Sequence, residues 1–156
     1  MIKDIIDSKT KAWTDPGKVS WYTTQITANR GTNTLKNNTE IGFIDRYAIG
    51  QQVLDVCIGT GRGSLQLLDK GYSVTGIDSS QAMLDACQKL AGDRPITLQQ
   101  ADLANLPFPD GNFDTLIALN VLVHFPHWRD VLSEWSRAVK RGGRLVFDVY
   151  SLDHVE

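Results

Sequence analysis

Three acids and three glycines stand at spacings that could hold a nucleotide-type ligand: Asp55, Gly59, Gly61, Gly63, Asp78 and Asp102. The glycines break an apolar run, VLDVCIGTGRGS over residues 53–64, just before a helical pattern begins. A buried strand that ends in a glycine turn at the mouth of a helix leaves backbone N–H groups pointing outward, with no side chains in a ligand's way. Asp78 ends a second strand pattern, about twenty residues on, where an acid can accept both hydroxyls of a ribose. Each charge-assisted bond of that kind contributes roughly 1.5 to 3 kcal/mol. Asp102 ends a third strand pattern, and the segment LPFPDGNFD leads into a fourth.

The elements that must position these residues alternate along the chain. Ile2, Ile5, Ile6, Lys9 and Trp13 sit at three- and four-residue spacings that predict an amphipathic helix over residues 2–13, ended by Asp15-Pro16-Gly17. Residues 19–28 mix Trp21 and Tyr22 with β-branched residues and favour no one state, and residues 30–38 read as a polar loop. Asn37 or Asn38 caps a helix that places Ile41, Ile44 and Tyr47 along one side and stops at Gly50. Past the glycine turn, Leu65, Leu67 and Leu68 predict a helix closed by Gly71. Residues 72–78 then form a strand, Ser79 or Ser80 caps a helix over residues 82–90, and residues 96–101 form a third strand. Two prolines and Asp110-Gly111 force a turn before a fourth strand over residues 113–119. The connector VLVHFP, a helix over residues 127–140, a turn at Arg141-Gly142-Gly143 and a strand over residues 144–150 complete the pattern. Such alternation gives an α/β fold, a doubly wound parallel sheet with helices on both faces.

Composition bounds the partners. With 156 residues, 42% of them hydrophobic, and a net charge of −2, the chain reads as one globular domain with a modest core. Nucleic acid as the main partner would need a basic face, and the cations here are scattered. No apolar run is long enough to cross a bilayer and no signal peptide is visible, so no membrane partner is expected. Cys57 and Cys87 read as reduced thiols of a cytoplasmic protein.

The glycine turn, Asp78, Asp102 and the LPFPDGNFD segment together resemble the class I S-adenosylmethionine-dependent methyltransferases, in particular their small-molecule branch, over about residues 53–150. The resemblance implies a Rossmann-like sheet in the order 3-2-1-4-5, with the ligand at the carboxyl ends beside strand 1. It implies S-adenosylmethionine as methyl donor, S-adenosylhomocysteine as product and a small-molecule acceptor. The residues it places around the donor are Asp55, Cys57, Gly59, Thr60, Gly61, Asp78, Ser79, Met83, Asp102, Leu103 and Asn120. Among them Asp78 takes the ribose, Asp102 with the Leu103 backbone the adenine, and Asp55 the amino group, often through water. The family usually carries glycine where this chain has Cys57, a departure that a small side chain can be accommodated in. Cys57 in a strand end reads as a small hydrophobe in preference to a reactive thiol.

Methyl transfer from a sulfonium needs alignment and exclusion of water, with no obligatory triad or metal. His124 and Asn120, after strand 4, are the candidate catalytic residues by topology, with packing and turn closure as their alternatives. His127 and His154 show no metal-ligand spacing. Residues 1–50 are expected to form a helical lid or cap, with Trp13, Trp21, Tyr22 and Arg30 either touching ligand or packing on the sheet. Residues 51–156 are expected to form the donor-binding core, truncated after strand 5 because the family continues with a helix and two further strands. A partner, or a second copy in a homo-oligomer, could otherwise cover the strand-5 edge. Two other functions fit part of the pattern. A nicotinamide-dependent oxidoreductase shares the glycine turn and Asp78, though not Asp102 or LPFPDGNFD, and a non-catalytic module would bind the donor or its product without turnover.

Overall fold

The computed structural model describes residues 13–27 and 32–150. The expected helix over residues 2–13 lies outside them except for Trp13, as do Arg30 and His154. Helix α1 (Pro16–Thr27) and helix α2 (Thr32–Tyr47) precede strand β1 (Gln52–Val56). Helix α3 (Leu65–Leu68), strand β2 (Ser73–Asp78), helix α4 (Gln81–Ala91) and strand β3 (Thr97–Gln100) follow. Strand β4 (Phe113–Ala118), a 3-10 turn (Leu122–His124), helix α5 (Trp128–Ala138) and strand β5 (Val139–Phe147) complete the order.

The five strands are parallel and stand in the order β3-β2-β1-β4-β5, as the sequence implied. Side chains alternate across β1, which sorts the core into two layers. Leu54 and Val56 join Leu116, Val131 and Trp135 beneath α5, whereas Val53 joins Ile44 of α2, Leu67 of α3 and Ile117. Asp55 shares the alternation of Val53 and therefore points toward the α2 and α3 side. Gly76 leaves room for Ile58, which closes a third cluster with Leu84 and Cys87; a side chain at Gly76 would meet Ile58 at 2.3 Å.

Asp15-Pro16-Gly17 starts a helix: the Asp15 side chain accepts the Lys18 N–H at 2.8 Å, and proline at the first helical position forgoes an N–H that would have no partner there. Two expectations change. The polar residues 32–38 are helical because one side of α2 is seated on the glycine turn and β4, a tertiary contact that polarity does not reveal. Arg141-Gly142-Gly143 lies in a bulge inside β5, so that strand begins at Val139 and pairing resumes at Thr115 with Arg144.

The start of β1 is fixed by Asp114. Its Oδ2 accepts the N–H groups of Gln51 and Gln52, both at 2.9 Å, and its Oδ1 accepts from Lys140 Nζ at 2.7 Å. Thr115 Oγ1 exchanges hydrogen bonds with both the N–H and the C=O of Ile49, at 2.9 Å each. These contacts set β1 against β4 in the register that brings Asp55 opposite Ile117.

Candidate functional site at the carboxyl ends of β1, β2 and β4

The glycine turn leaves β1 by pairing once more with β2: the Ile58 N–H donates to the Ile77 carbonyl at 2.9 Å. One residue later the Gly59 N–H donates to Asp78 Oδ2 at 2.9 Å, and Asp78 Oδ1 accepts the Ser80 N–H at the same distance. Asp78 thus ties the turn after β1 to the start of α4. Each carboxylate oxygen has two acceptor sites, so the carboxylate keeps acceptor capacity beyond the Gly59 and Ser80 amides. Burial pushes the Asp78 carboxyl up, against the pull of the Ser80, Gly59 and Ser79 amides. Ser80, not Ser79, caps α4: its hydroxyl accepts the Met83 N–H at 3.2 Å and donates to the Trp13 carbonyl at 2.6 Å. Ser79 is exposed and Met83 is buried in the first turn of α4.

The three glycines have different work. A side chain on Gly61 would strike Leu65 and Cys87, and one on Gly63 would come within 2.9 Å of Leu119. Those two positions are empty so that the protein can pack. At Gly59 a Cβ would find only the Cys57 carbonyl, 3.9 Å away, so this backbone, at φ +55°, is the one that faces open space.

Cys57 adopts φ +55°, the left-handed region that favours glycine. That is the physical content of its departure from the family pattern: the chain keeps the glycine conformation and carries the strain. Its side chain packs beside the core cluster under α5. Burial first, then the charges of Asp78, Asp55 and Asp102, push its thiol well above the ordinary range.

Asp55 is 4% exposed, and burial pushes its carboxyl up to about 7, against the neighbouring Ser64 hydroxyl and the Arg62 charge. The Ser64 Oγ is itself buried with no hydrogen-bond partner of full geometry. Thr60, in the turn above, is also buried. Asp102 is exposed, and its Oδ1 accepts the Ala104 N–H at 2.9 Å in an Asx turn. Leu103 beside it is buried, with its carbonyl taken by Trp135 Nε1 at 3.1 Å. Arg137 and Glu134 of α5 hold the following loop through Leu106, Phe108 and Asp110, which gives the LPFPDGNFD segment its structural role.

Arg62 is the participant that the motif reading passed over. Its Nη1 donates to Asn37 Oδ1 at 3.0 Å and pairs closely with Glu40 Oε2, both on α2. The guanidinium is only 12% exposed. Burial raises the Tyr22 hydroxyl, with Arg62 drawing it the other way, so α1 also reaches this cluster. The signal available beforehand was a charged residue between Gly61 and Gly63, in a turn otherwise built of small residues. Of the expected lid aromatics, Trp13 meets Tyr22 edge-on at 5.2 Å and Trp21 stays 63% exposed.

At the end of β4, Asn120 takes φ +58°, donates its N–H to Asp148 Oδ1 at 2.5 Å, and accepts from Lys36 Nζ on α2 at 2.5 Å. It stands three residues past Ile117, the partner of Asp55, and so beside the glycine turn. His124 is exposed on the 3-10 turn. Among the described residues no three His, Cys, Asp or Glu side chains form a metal-binding group, and no helix is long and apolar enough to cross a membrane. A cavity of about 170 Å³ between α4 and β3, walled by Gln81, Leu84, Asp85, Gln88, Leu98 and Gln100, includes none of these residues.

A glycine turn and acids at the carboxyl ends of a parallel sheet, beside the strand where the order reverses, define a Rossmann-like ligand-binding domain. Residues 54–147 match the methyltransferase domain family, and the chain belongs to that family, the class I S-adenosylmethionine-dependent methyltransferases. It is 32% identical over 146 residues to the O-methyltransferase resE of Aspergillus sclerotiorum, covering 90% of this chain and 52% of that protein. A solved protein of Pyrococcus horikoshii shares 25% identity at a TM-score of 0.67, over 82% of this chain and 64% of that one. Magnesium protoporphyrin IX methyltransferase of Synechocystis, solved with bound SAH, shares 26% identity at a TM-score of 0.57, over 67% of this chain and 51% of that one. The chain spans about half the length of the curated relatives it matches.

Proposed function

We propose that this protein transfers a methyl group from S-adenosylmethionine to a small-molecule acceptor. The observation that supports the reading is the hydrogen bond from Gly59 to Asp78, with the buried Asp55 and Ser64 beside the same turn. The residues fit the donor at the turn: a Cβ at Gly59 would meet only the Cys57 carbonyl, 3.9 Å away, so the backbone there is open, and any side chain would fill that space. The donor, when bound, supplies a methyl group already activated on a sulfonium.

The chain's own residues bind and orient. Asp78 accepts the ribose hydroxyls on the lone pairs that Gly59 and Ser80 leave it. Asp55 takes the amino group and ionises in its favour, with Ser64 beside it. Asp102 and the Leu103 backbone serve the adenine, with Ser79 and Met83 along that side, while Cys57, Thr60, Gly61 and Asn120 line the crevice. Residues 1–50 act as a lid that excludes water and residues 51–156 as the binding core, a division supported by the bond of Ser80 to the Trp13 carbonyl, ahead of α1, and of Arg62 to Asn37 on α2. His124, exposed near Asn120, serves as a base for acceptors that reach it. The free thiols of Cys57 and Cys87 support a cytoplasmic place of action.

Methyl transfer is tested by incubating the protein with S-adenosylmethionine and a metabolite extract and following release of S-adenosylhomocysteine. Acceptor-dependent release supports the reading. S-adenosylhomocysteine that binds while no extract fraction promotes turnover favours a non-catalytic binding module instead.

A further inference from the structure

Lys36 of α2 meets Asn120 just past the end of β4. Lys36 Nζ lies 2.5 Å from Asn120 Oδ1, 3.6 Å from Glu40 Oε1 and 5.9 Å from the centre of the Tyr150 ring. Its side chain is 48% exposed, whereas Glu40 is 11% exposed. Glu40 is drawn mainly to Arg62, whose contact with it is much the shorter, so Lys36 holds the weaker half of that pairing. An ammonium carries three donors. One goes to Asn120 and one faces Glu40, which leaves a third on the half-exposed side of the lysine, beside the exposed Tyr150 ring. Asn120 fixes the place: its left-handed backbone is tied to Asp148, and it accepts from Lys36 next to the glycine turn.

Resting on the methyl-transfer reading, we propose that Lys36 binds the acceptor through an ionisable hydroxyl, that of a phenol or an enol, and that Tyr150 flanks its flat face. An ammonium in contact with such an oxygen favours the oxyanion, which is the stronger nucleophile. The acceptor proton passes to solvent as the oxyanion forms. The oxygen then makes the new O–C bond while the donor's C–S bond breaks, and the bonding pair stays on sulfur. A protonated amine meets like charge at the same place and is disfavoured.

The probe is 4-nitrophenol, whose oxyanion is coloured, titrated with pH against protein saturated with S-adenosylhomocysteine. In the native protein its apparent pKa is expected to fall by about one unit. Lys36→Met is expected to abolish that shift, and Lys36→Arg to keep most of it. Both variants are expected to bind S-adenosylhomocysteine as the native protein does in calorimetry and to melt at the native temperature, because Lys36 is half exposed. An unshifted pKa, no saturable colour change, or an equal shift in Lys36→Met overturns the role of Lys36 while the donor reading stands. A native protein that binds no S-adenosylhomocysteine overturns both.

Discussion

The backbone N–H of Gly59 donates to Asp78 Oδ2 at 2.9 Å, so the acid that ends β2 also holds the glycine turn that follows β1. A residue chosen as a ligand contact is also the clamp that shapes the crevice.

Substitution at Asp78 is therefore expected to act twice. Asp78→Ala should lower S-adenosylhomocysteine affinity at least tenfold, the loss of about 1.4 kcal/mol or more, and should also lower the melting temperature, since two buried amides lose their acceptor. Asp78→Asn keeps an acceptor for one amide and should lose affinity with a smaller loss of stability. Calorimetry and thermal melting of the pair separate the two effects.

Asp55 should make both folding and binding depend on pH. Its carboxyl titrates near 7 in the folded protein against an ordinary value of 3.8. Between those values the folded chain holds a proton that the unfolded chain has lost, so the Asp55 contribution to stability falls as pH rises through this window and levels off above it. Binding of the ligand's ammonium needs the carboxylate, so affinity should rise from pH 6 to pH 8. Urea melts and calorimetry across that range are expected to show both slopes, and Asp55→Asn to flatten both.

Arg62 should hold α2 in place. Arg62→Ala leaves Glu40 nearly buried without its main partner, and about 2 to 3 kcal/mol of stability should be lost, measured by urea unfolding. Glu40→Gln, which keeps an acceptor for the guanidinium, should cost less. Equal losses would mean that the charge of Glu40 matters more than its hydrogen bond.

Cys57 should be inert despite its place in the site. Burial and three acids raise its thiol, and burial lifts Cys87 to about 12, so neither forms a thiolate at pH 8. Iodoacetamide should label them only at the rate of unfolding. Cys57→Gly should change stability by less than about 1 kcal/mol, because relief of the left-handed backbone offsets lost packing. Cys57→Val, stiffer and still left-handed, should be clearly destabilising.

The central strands were legible in the sequence because β1, β2 and β4 are short runs rich in apolar residues and bounded by turn residues. The strand order followed from the family resemblance and right-handed crossovers, and that order puts the ends of β1 and β2 side by side, where Gly59 meets Asp78. Residues 32–38 were not legible: Lys36 and Asn37 are polar because they face Asn120 and Arg62, and a helix face that binds polar groups looks like a loop by composition. Asp15-Pro16-Gly17 carried a signal that was not read, since aspartate followed by proline also suits the start of a helix. Arg62 was hidden because its partners stand 22 and 25 residues away in the chain, beyond the reach of any local pattern.

The central claim is that the crevice of Gly59, Asp55 and Asp78 binds the methyl donor, and titration calorimetry with S-adenosylhomocysteine and with NAD at pH 8 tests it most directly. The account expects saturable one-to-one heat with S-adenosylhomocysteine, weakened at least tenfold in Asp78→Ala, and none with NAD. Silence with S-adenosylhomocysteine, or heat with NAD that Asp78→Ala abolishes, would contradict it.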